Sequence, residues 1–205
     1  WKIEGGKVNF DYYGVAENEC GWWKVEGGKV NFDYYGVADN EFGWWRIEGG
    51  KVNFDYYGIA ENEYGWWKIE GGKVNFDYTG LADSDNGRMY VSNGGVDFGY
   101  TNVIQDGDVW VYVENGKVRY DYTGIRENAN GWWKIESGIV NFKFTGIASN
   151  ENGEFYIKDG KVDFDYSGTI NQSDCIYTVK SGWVVSKEGI SGIIKGVDVS
   201  HHNND

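Results

Sequence analysis

The side chains with the most chemistry to offer are aromatic, and they recur at a fixed distance. Trp22, Trp44, Trp66, Trp110 and Trp132 stand 22 residues apart or at multiples of that spacing. Phe42 and Tyr64 precede two of the Gly-Trp-Trp segments, and Tyr35 and Tyr57 follow the same period. Carboxylates and amides fill the stretches between them. Rings in such a setting do two kinds of recognition. Sugars lie flat against an aromatic face while Asn and Asp bond their hydroxyls. Quaternary ammonium groups sit in aromatic cages, at about 0.5–2 kcal/mol per ring. One such site is weak, but several engaging a polymer gain about 10²–10⁴-fold in avidity. These nine residues are the predicted ligand-binding set.

Other chemistries have little to work with. The only histidines are His201 and His202, so no Ser-His-Asp arrangement exists. Glu17 and Glu19 form a carboxylate pair, but in a polar connector that does nothing to raise a pKa for acid catalysis. Asp83-Ser84-Asp85-Asn86-Gly87 resembles a calcium loop only in outline, because Gly94 stands where the bidentate Glu belongs. Adjacent His201 and His202 point to opposite faces of a strand. No metal and no cofactor is expected. Cys20 and Cys175 lie seven periods apart, beyond the reach of a disulfide in a linear stack, and read as free thiols.

The formal net charge is −13, which argues against nucleic acid and against a bare anionic polymer. An acidic, aromatic-rich surface suits a cationic or neutral ligand. The same charge also serves simply to keep an aromatic-rich rod in solution. No apolar run is long enough to span a membrane.

The elements that must position the rings follow from the period. Gly-Trp-Trp-Lys-Val-Glu-Gly-Gly-Lys-Val-Asn-Phe-Asp-Tyr-Tyr-Gly begins at Gly21, with near-copies at Gly43 and Gly65. Weaker copies begin at Gly87, Val109, Gly131 and Gly153, a degenerate one at Cys175, and a partial one opens the chain at Trp1. A short fixed period means stacked units, none able to bury its own apolar face. Each unit carries a turn signal: Gly27-Gly28, Gly49-Gly50 and Gly71-Gly72, then Asn93-Gly94, Asn115-Gly116, Ser137-Gly138 and Asp159-Gly160. Such pairs tolerate positive φ at both central positions of a type I′ turn and predict a hairpin in every unit.

A two-residue loop predicts the register: Glu26 opposite Lys29, Val25 opposite Val30, Lys24 opposite Asn31, Trp23 opposite Phe32 and Trp22 opposite Asp33. Alternation then puts Trp23, Val25, Val30, Phe32 and Tyr34 on one face and Trp22, Lys24, Asn31 and Asp33 on the other. The units act as a substitution series. The Trp23 position becomes Met89, Val111, Trp133, Phe155 and Tyr177, always bulky, so it is core. The Trp22 position accepts Arg88 and Glu154, so it is expected at the surface, either as a binding ring or as a lid over the next hairpin. The Lys24 position accepts Tyr90, Tyr112, Tyr156 and Thr178 and is expected to be exposed. Residues 37–42 read as a connector between hairpins. Tyr13, Tyr35 and Tyr57 give way to Thr79, Thr101, Thr123 and Thr145, which concentrates the ligand sites toward the N-terminal end. Recent duplication of the first units gives the same pattern.

The unit as quoted resembles the aromatic β-hairpin repeats of Gram-positive surface proteins, relatives of the choline-binding and glucan-binding repeats. The resemblance covers residues 1 to about 185 and implies a superhelical solenoid. Lys-Val-Asn-Phe-Asp-Tyr departs from the Gly-Met-x-Thr-Gly-Trp type of segment in choline-binding units. A second segment, Ile194 to Asn203, is similar to the first strand of the family 25 glycoside hydrolases, lysozymes with an active-site Asp in a Gly-x-Asp-Val-Ser motif that Asp198 matches. An ordinary buried strand is the alternative there.

The expectation is therefore an all-β solenoid of about nine stacked hairpins. Residues 1–190 form wall-binding repeats, and 191–205 a linker with the start of a lysozyme-like domain. The implied function is non-catalytic: anchoring a peptidoglycan hydrolase to the wall of a Gram-positive bacterium, from a secreted or cell-surface position. The partner is a wall polymer, choline-bearing or a neutral glycan, with no nucleic acid and no membrane. The alternative is a structural spacer or adhesin stalk with no ligand of its own.

Overall fold

The computed structural model describes residues 1–190. They form antiparallel strands in a repeated pattern, and eight six-residue strands recur from Gly21–Glu26 to Cys175–Lys180. The fold is all-β, as the turn signals predict. No described pairing joins Trp183–Gly189 back to Gly14–Asn18, so the sheet is open and not a barrel.

The hairpin itself differs from the expected one. Gly36–Asn40 is a strand, not a connector, and pairs with Gly43–Glu48 from Gly36 opposite Ile47 to Asn40 opposite Gly43. Asn40 makes this possible. Its Oδ1 accepts the Phe42 backbone N–H at 3.0 Å and the Trp45 indole N–H at 2.9 Å, closing a tight Glu41-Phe42 turn. Beyond the Gly49-Gly50 turn the return strand is only Lys51–Val52. Glu48 faces Lys51 and Ile47 faces Val52, as predicted. The predicted pairing then stops, because the chain turns away at Asn53, whose Oδ1 takes the Asp55 N–H at 3.0 Å. Trp23 and Phe32 accordingly meet ring to ring at 5.8 Å without being strand partners.

Periods are stitched together by their turns. Gly49 and Gly50 have φ of 55° and 78°, the left-handed values a type I′ turn needs. The Gly50 carbonyl accepts the Lys24 N–H at 2.8 Å, and the Gly50 N–H bonds the Tyr34 carbonyl at 3.0 Å. The turn of one period is thus inserted into the period before it. At the equivalent Gly28 a Cβ would stand 2.5 Å from the Asn9 carbonyl oxygen, so close approach demands glycine as firmly as φ does.

The chain divides into two compact units. In the first, Trp1–Thr101 with Val113–Val118, a core cluster of Val15, Ala38, Trp45, Ile47 and Val52 draws on three consecutive periods, with Trp22 and Tyr34 packed against it. In the second, Asn102–Tyr112 with the described residues from Arg119 onward, Ile125 of one period and Phe155, Ile157 and Val162 of the next but one cluster with Trp132, Phe144 and Ala148 of the period between packed against them. Burying an Ile side chain completely, as at Ile47 and Ile135, is worth about 1.5–3 kcal/mol.

Two expectations about faces are corrected. The Lys24 position is mostly covered: Lys134, Tyr112 and Tyr156 there are buried and Lys24 is half-buried, while Thr178 is exposed as expected. The reason is the ring of the Tyr34 series, which folds back over it. Lys24 Nζ lies 5.2 Å from the Tyr34 ring centre, and Tyr156 lies 4.2 Å from Tyr166. Tyr34 therefore covers the Lys24 side of the sheet, not the Trp23 side. The Phe32 series, placed with the core by alternation, is instead exposed from Phe10 to Phe164 because the pairing has already ended.

Candidate functional site

The first tryptophan of each pair sits where two periods meet. Trp44 leaves its strand toward the next period and lies 4.9 Å from Trp67, 5.8 Å from Phe76 and 5.9 Å from Tyr64, ring centre to ring centre. Trp22 repeats this with Trp45, Phe54 and Phe42. Both are half-buried, so the lid role and a partly open face coexist in one residue.

Beside each lies a groove. That at Trp44 holds about 610 Å³ and is lined by Lys24, Glu26, Tyr34, Tyr35, Asp39, Glu61, Glu63 and Tyr64. The groove at Trp22 holds about 500 Å³ and is lined by the residues one period earlier, with Asp39, Glu41 and Phe42 closing it. At Trp66 the space falls to about 190 Å³, where Arg46 takes the place of Lys24 and Ser84, Asp85 and Asn86 form the far wall. At Trp132, in the second unit, it is about 120 Å³. There Arg126 reaches across to Glu151, with its Nη1 2.8 and 3.0 Å from the two carboxylate oxygens.

The electrostatics of the two larger grooves are acidic. Glu26 and Asn31 hold each other at 2.8 Å, and Lys24, which lines the Trp44 groove, lies 3.6 Å from Glu26 and is already paired. Asp39, Glu61 and Glu63 are not matched in this way among the described ion pairs. The Tyr34 phenol is pushed up by burial and then by the carboxylates of Glu26 and Glu63. Tyr64 is pushed up by its hydrogen bond to Glu63. The part of each shift that comes from the carboxylates, Glu63 in both, has the sign that would favour a cation beside these rings.

The chain's own cations are distributed unevenly over its rings. Lys2, Lys24 and Arg46 lie over Tyr12, Tyr34 and Tyr56. Lys51 and Lys73 lie over Trp23 and Trp45. Among the described residues none lies over Trp22, Trp44, Trp66, Trp110 or Trp132. The arrangement can hold an organic cation or stack a sugar.

Of the predicted residues, Trp44 comes together with Tyr35 and Tyr64, and Trp22 with Phe42. Trp66 meets Tyr56 in its groove, while the Tyr57 hydroxyl lies over Gly71, 3.6 Å from where a Cβ would stand. Trp110 packs on Trp133 and Phe142. Trp132 packs on Phe155 and Phe164 beside the Arg126–Glu151 pair. Asp198 lies outside the described residues. Sequence reasoning missed Tyr12, Tyr34 and Tyr56 as groove walls. The available signal was an aromatic at this position in every period, down to Phe144 and Tyr166.

Fold and grooves together define a tandem-repeat protein whose ring clusters and grooves lie between its periods. The chain belongs to the choline-binding repeat family, whose repeat matches residues 33–53, 55–75, 77–97, 99–119, 121–141 and 143–163. No curated protein matches it. Among solved structures it is similar to an alternansucrase in complex with isomaltononaose, with a TM-score of 0.38 and 14% identity over 84% of this chain. The match spans 13% of that enzyme's length, and a likeness this distant carries no functional inference.

Proposed function

We propose that this chain is a non-catalytic module that binds a cell-wall polymer, and that its grooves at Trp22 and Trp44 receive quaternary ammonium groups such as choline. The observation that carries this reading is the Trp44 groove. A half-buried indole with no cation of its own faces space bounded by Asp39, Glu61 and Glu63, while Lys24 is tied to Glu26. The family's description agrees with that chemistry. A neutral glycan is the second reading, supported by the outward rings of Phe42 and Tyr64 at the groove rims. A spacer or stalk, in which the rings serve packing alone, is the reading to defeat.

The module would act from a secreted or cell-surface position on a Gram-positive bacterium, holding a peptidoglycan hydrolase near its substrate. The support is the Ile194–Asn203 resemblance to a family 25 lysozyme strand, with residues 191–205 read as a linker and the start of that domain. Peptidoglycan turnover by a longer protein carrying this chain tests it, and a longer protein with no such activity ends it.

The deciding experiment for binding is a pull-down on purified Gram-positive cell walls. Binding removed by choline, and lost in a Trp22→Ala/Trp44→Ala variant that keeps its β-sheet circular dichroism, is expected. Removal by soluble glycan alone moves the ligand to the second reading. No saturable binding leaves the spacer.

A further inference from the structure

One position in the period holds a lysine in nearly every copy that carries a tryptophan opposite it. In the register between periods, Lys51 pairs with Trp23, Lys73 with Trp45 and Lys161 with Trp133. Each ammonium lies over its indole, at 5.2, 5.3 and 5.4 Å from the ring centre, and Lys29 lies over Trp1 at 4.8 Å. The lysine stem runs across a glycine that starts the strand. A Cβ on Gly21 would stand 2.7 Å from Lys51 Cε, and one on Gly43 would stand 2.5 Å from Lys73 Cε. The missing side chain at that glycine is what makes room for the stem.

The exception is Trp67. The residue paired with it is Gly95. A Cβ on Gly65 would meet nothing nearer than Trp67's own Cζ2 at 3.8 Å, and one on Gly95 would lie against Trp67 Cζ3 at 3.5 Å. The indole is held in place as in the other periods, since its N–H bonds Asn62 Oδ1 at 2.9 Å and Trp44 and Phe76 pack on it. Gly65, Trp67 and Gly95 thus keep the track in which the chain elsewhere seats a lysine, but this period supplies no side chain to fill it. Trp67 is half-buried.

We propose that the Gly65–Trp67–Gly95 track is a binding site for an external alkylammonium group, a cation at the end of a flexible apolar stem. The stem lies along the two glycines and the ammonium sits on the indole face, as Lys73 does on Trp45. The chemistry is that of a lysyl side chain or of a free aliphatic amine. The site is separate from the grooves at Trp22 and Trp44 and stands or falls without them.

The test is the indole N–H resonance of Trp67 in the ¹H–¹⁵N spectrum of the full chain, assigned by its loss in Trp67→Phe. It is followed during titration with n-butylammonium, with Nα-acetyl-lysine amide, and with uncharged n-butanol. Saturable shifts of Trp67 with the cations, at least tenfold weaker with n-butanol, are expected. Resonances of Trp45 and Trp133, already covered by Lys73 and Lys161, should hold still. Response to n-butylammonium alone assigns the site to small amines, and response to both assigns it to lysyl chains as well. Gly95→Lys should weaken the response at least tenfold, and Trp22→Ala should leave it intact even if wall binding is lost. No saturable shift of Trp67, equal shifts at Trp45 and Trp133, or an unchanged response in Gly95→Lys overturns the proposal.

Discussion

Thr79 Oγ1 accepts the backbone N–H of Asn93 at 3.1 Å, a bond between residues 14 apart that pins the turn to the strand behind it. Thr101, Thr123 and Thr145 do the same for Asn115, Ser137 and Asp159. In the earlier periods a tyrosine stands at the threonine position and a glycine at the turn position. The Tyr35 hydroxyl lies 3.5 Å from where a Cβ of Gly49 would be. The exchange of tyrosine for threonine and of Gly-Gly for Asn-Gly is therefore one structural change, not two. A turn residue with a side chain goes with a short hydroxyl partner, and a bare turn goes with a ring laid over it.

That coupling makes a double-mutant prediction. Tyr35→Thr with Gly49→Asn should be as stable as the parent or more so, because replacing glycine where Asn tolerates the left-handed φ narrows the unfolded ensemble by about 0.4–1 kcal/mol. Gly49→Asn alone should fall short of the double variant, since only threonine brings a short hydroxyl to accept the turn N–H, as Thr79 does for Asn93. Urea unfolding of the four proteins reads the coupling, and strictly additive effects refute it.

Asn40→Ala should destabilise by about 1–3 kcal/mol, because it strands the indole N–H of the buried Trp45 and a turn N–H together. The check is denaturant unfolding alongside Asp39→Ala, an exposed neighbour whose change should stay within about 0.5 kcal/mol.

Stability should fall at alkaline pH. The Tyr12, Tyr34 and Tyr56 phenols are pushed above the usual tyrosine value, first by burial, so they stay protonated in the fold where the unfolded chain ionises. Below about pH 9 both states hold the proton and the term is flat. As pH rises through 10, unfolding releases protons and stability drops until the folded phenols ionise too. Tyr34→Phe should flatten part of that slope in unfolding curves taken across this range.

The Arg126–Glu151 pair should matter more for the groove than for stability. Glu151 is largely exposed, so the ion pair itself is worth about 1 kcal/mol or less, and Arg126→Ser should cost little beyond its contacts with the Tyr122 and Tyr112 rings, 4.5 and 5.4 Å from the guanidinium. With Arg126→Ser alone, Glu151 is left in the Trp132 groove as Glu63 is in the groove at Trp44. Under the proposed function this variant gains a choline-dependent shift of the Trp132 indole resonance that the parent lacks.

The period, the all-β class and the turns were legible in the sequence because their causes are local. Asn-Gly and Gly-Gly dictate left-handed φ without regard to surroundings, and Asn93 at 49° with Gly94 at 79° follow from the residues alone. The core role of Ile47 and of its equivalents was legible too, since one substitution series shows what a position tolerates. What the sequence could not decide was which strand lies on which. The Asn40 turn and the docking of Gly50 onto the period before it are long-range events, and between them they cut the return strand to two residues. They also turned Phe54 out to solvent and folded Tyr34 over Lys24. A polar residue such as Lys134 reads as surface until a ring from another part of the period covers it. Only the stack determines that ring's place, because a repeat has no buried side until its neighbour supplies one.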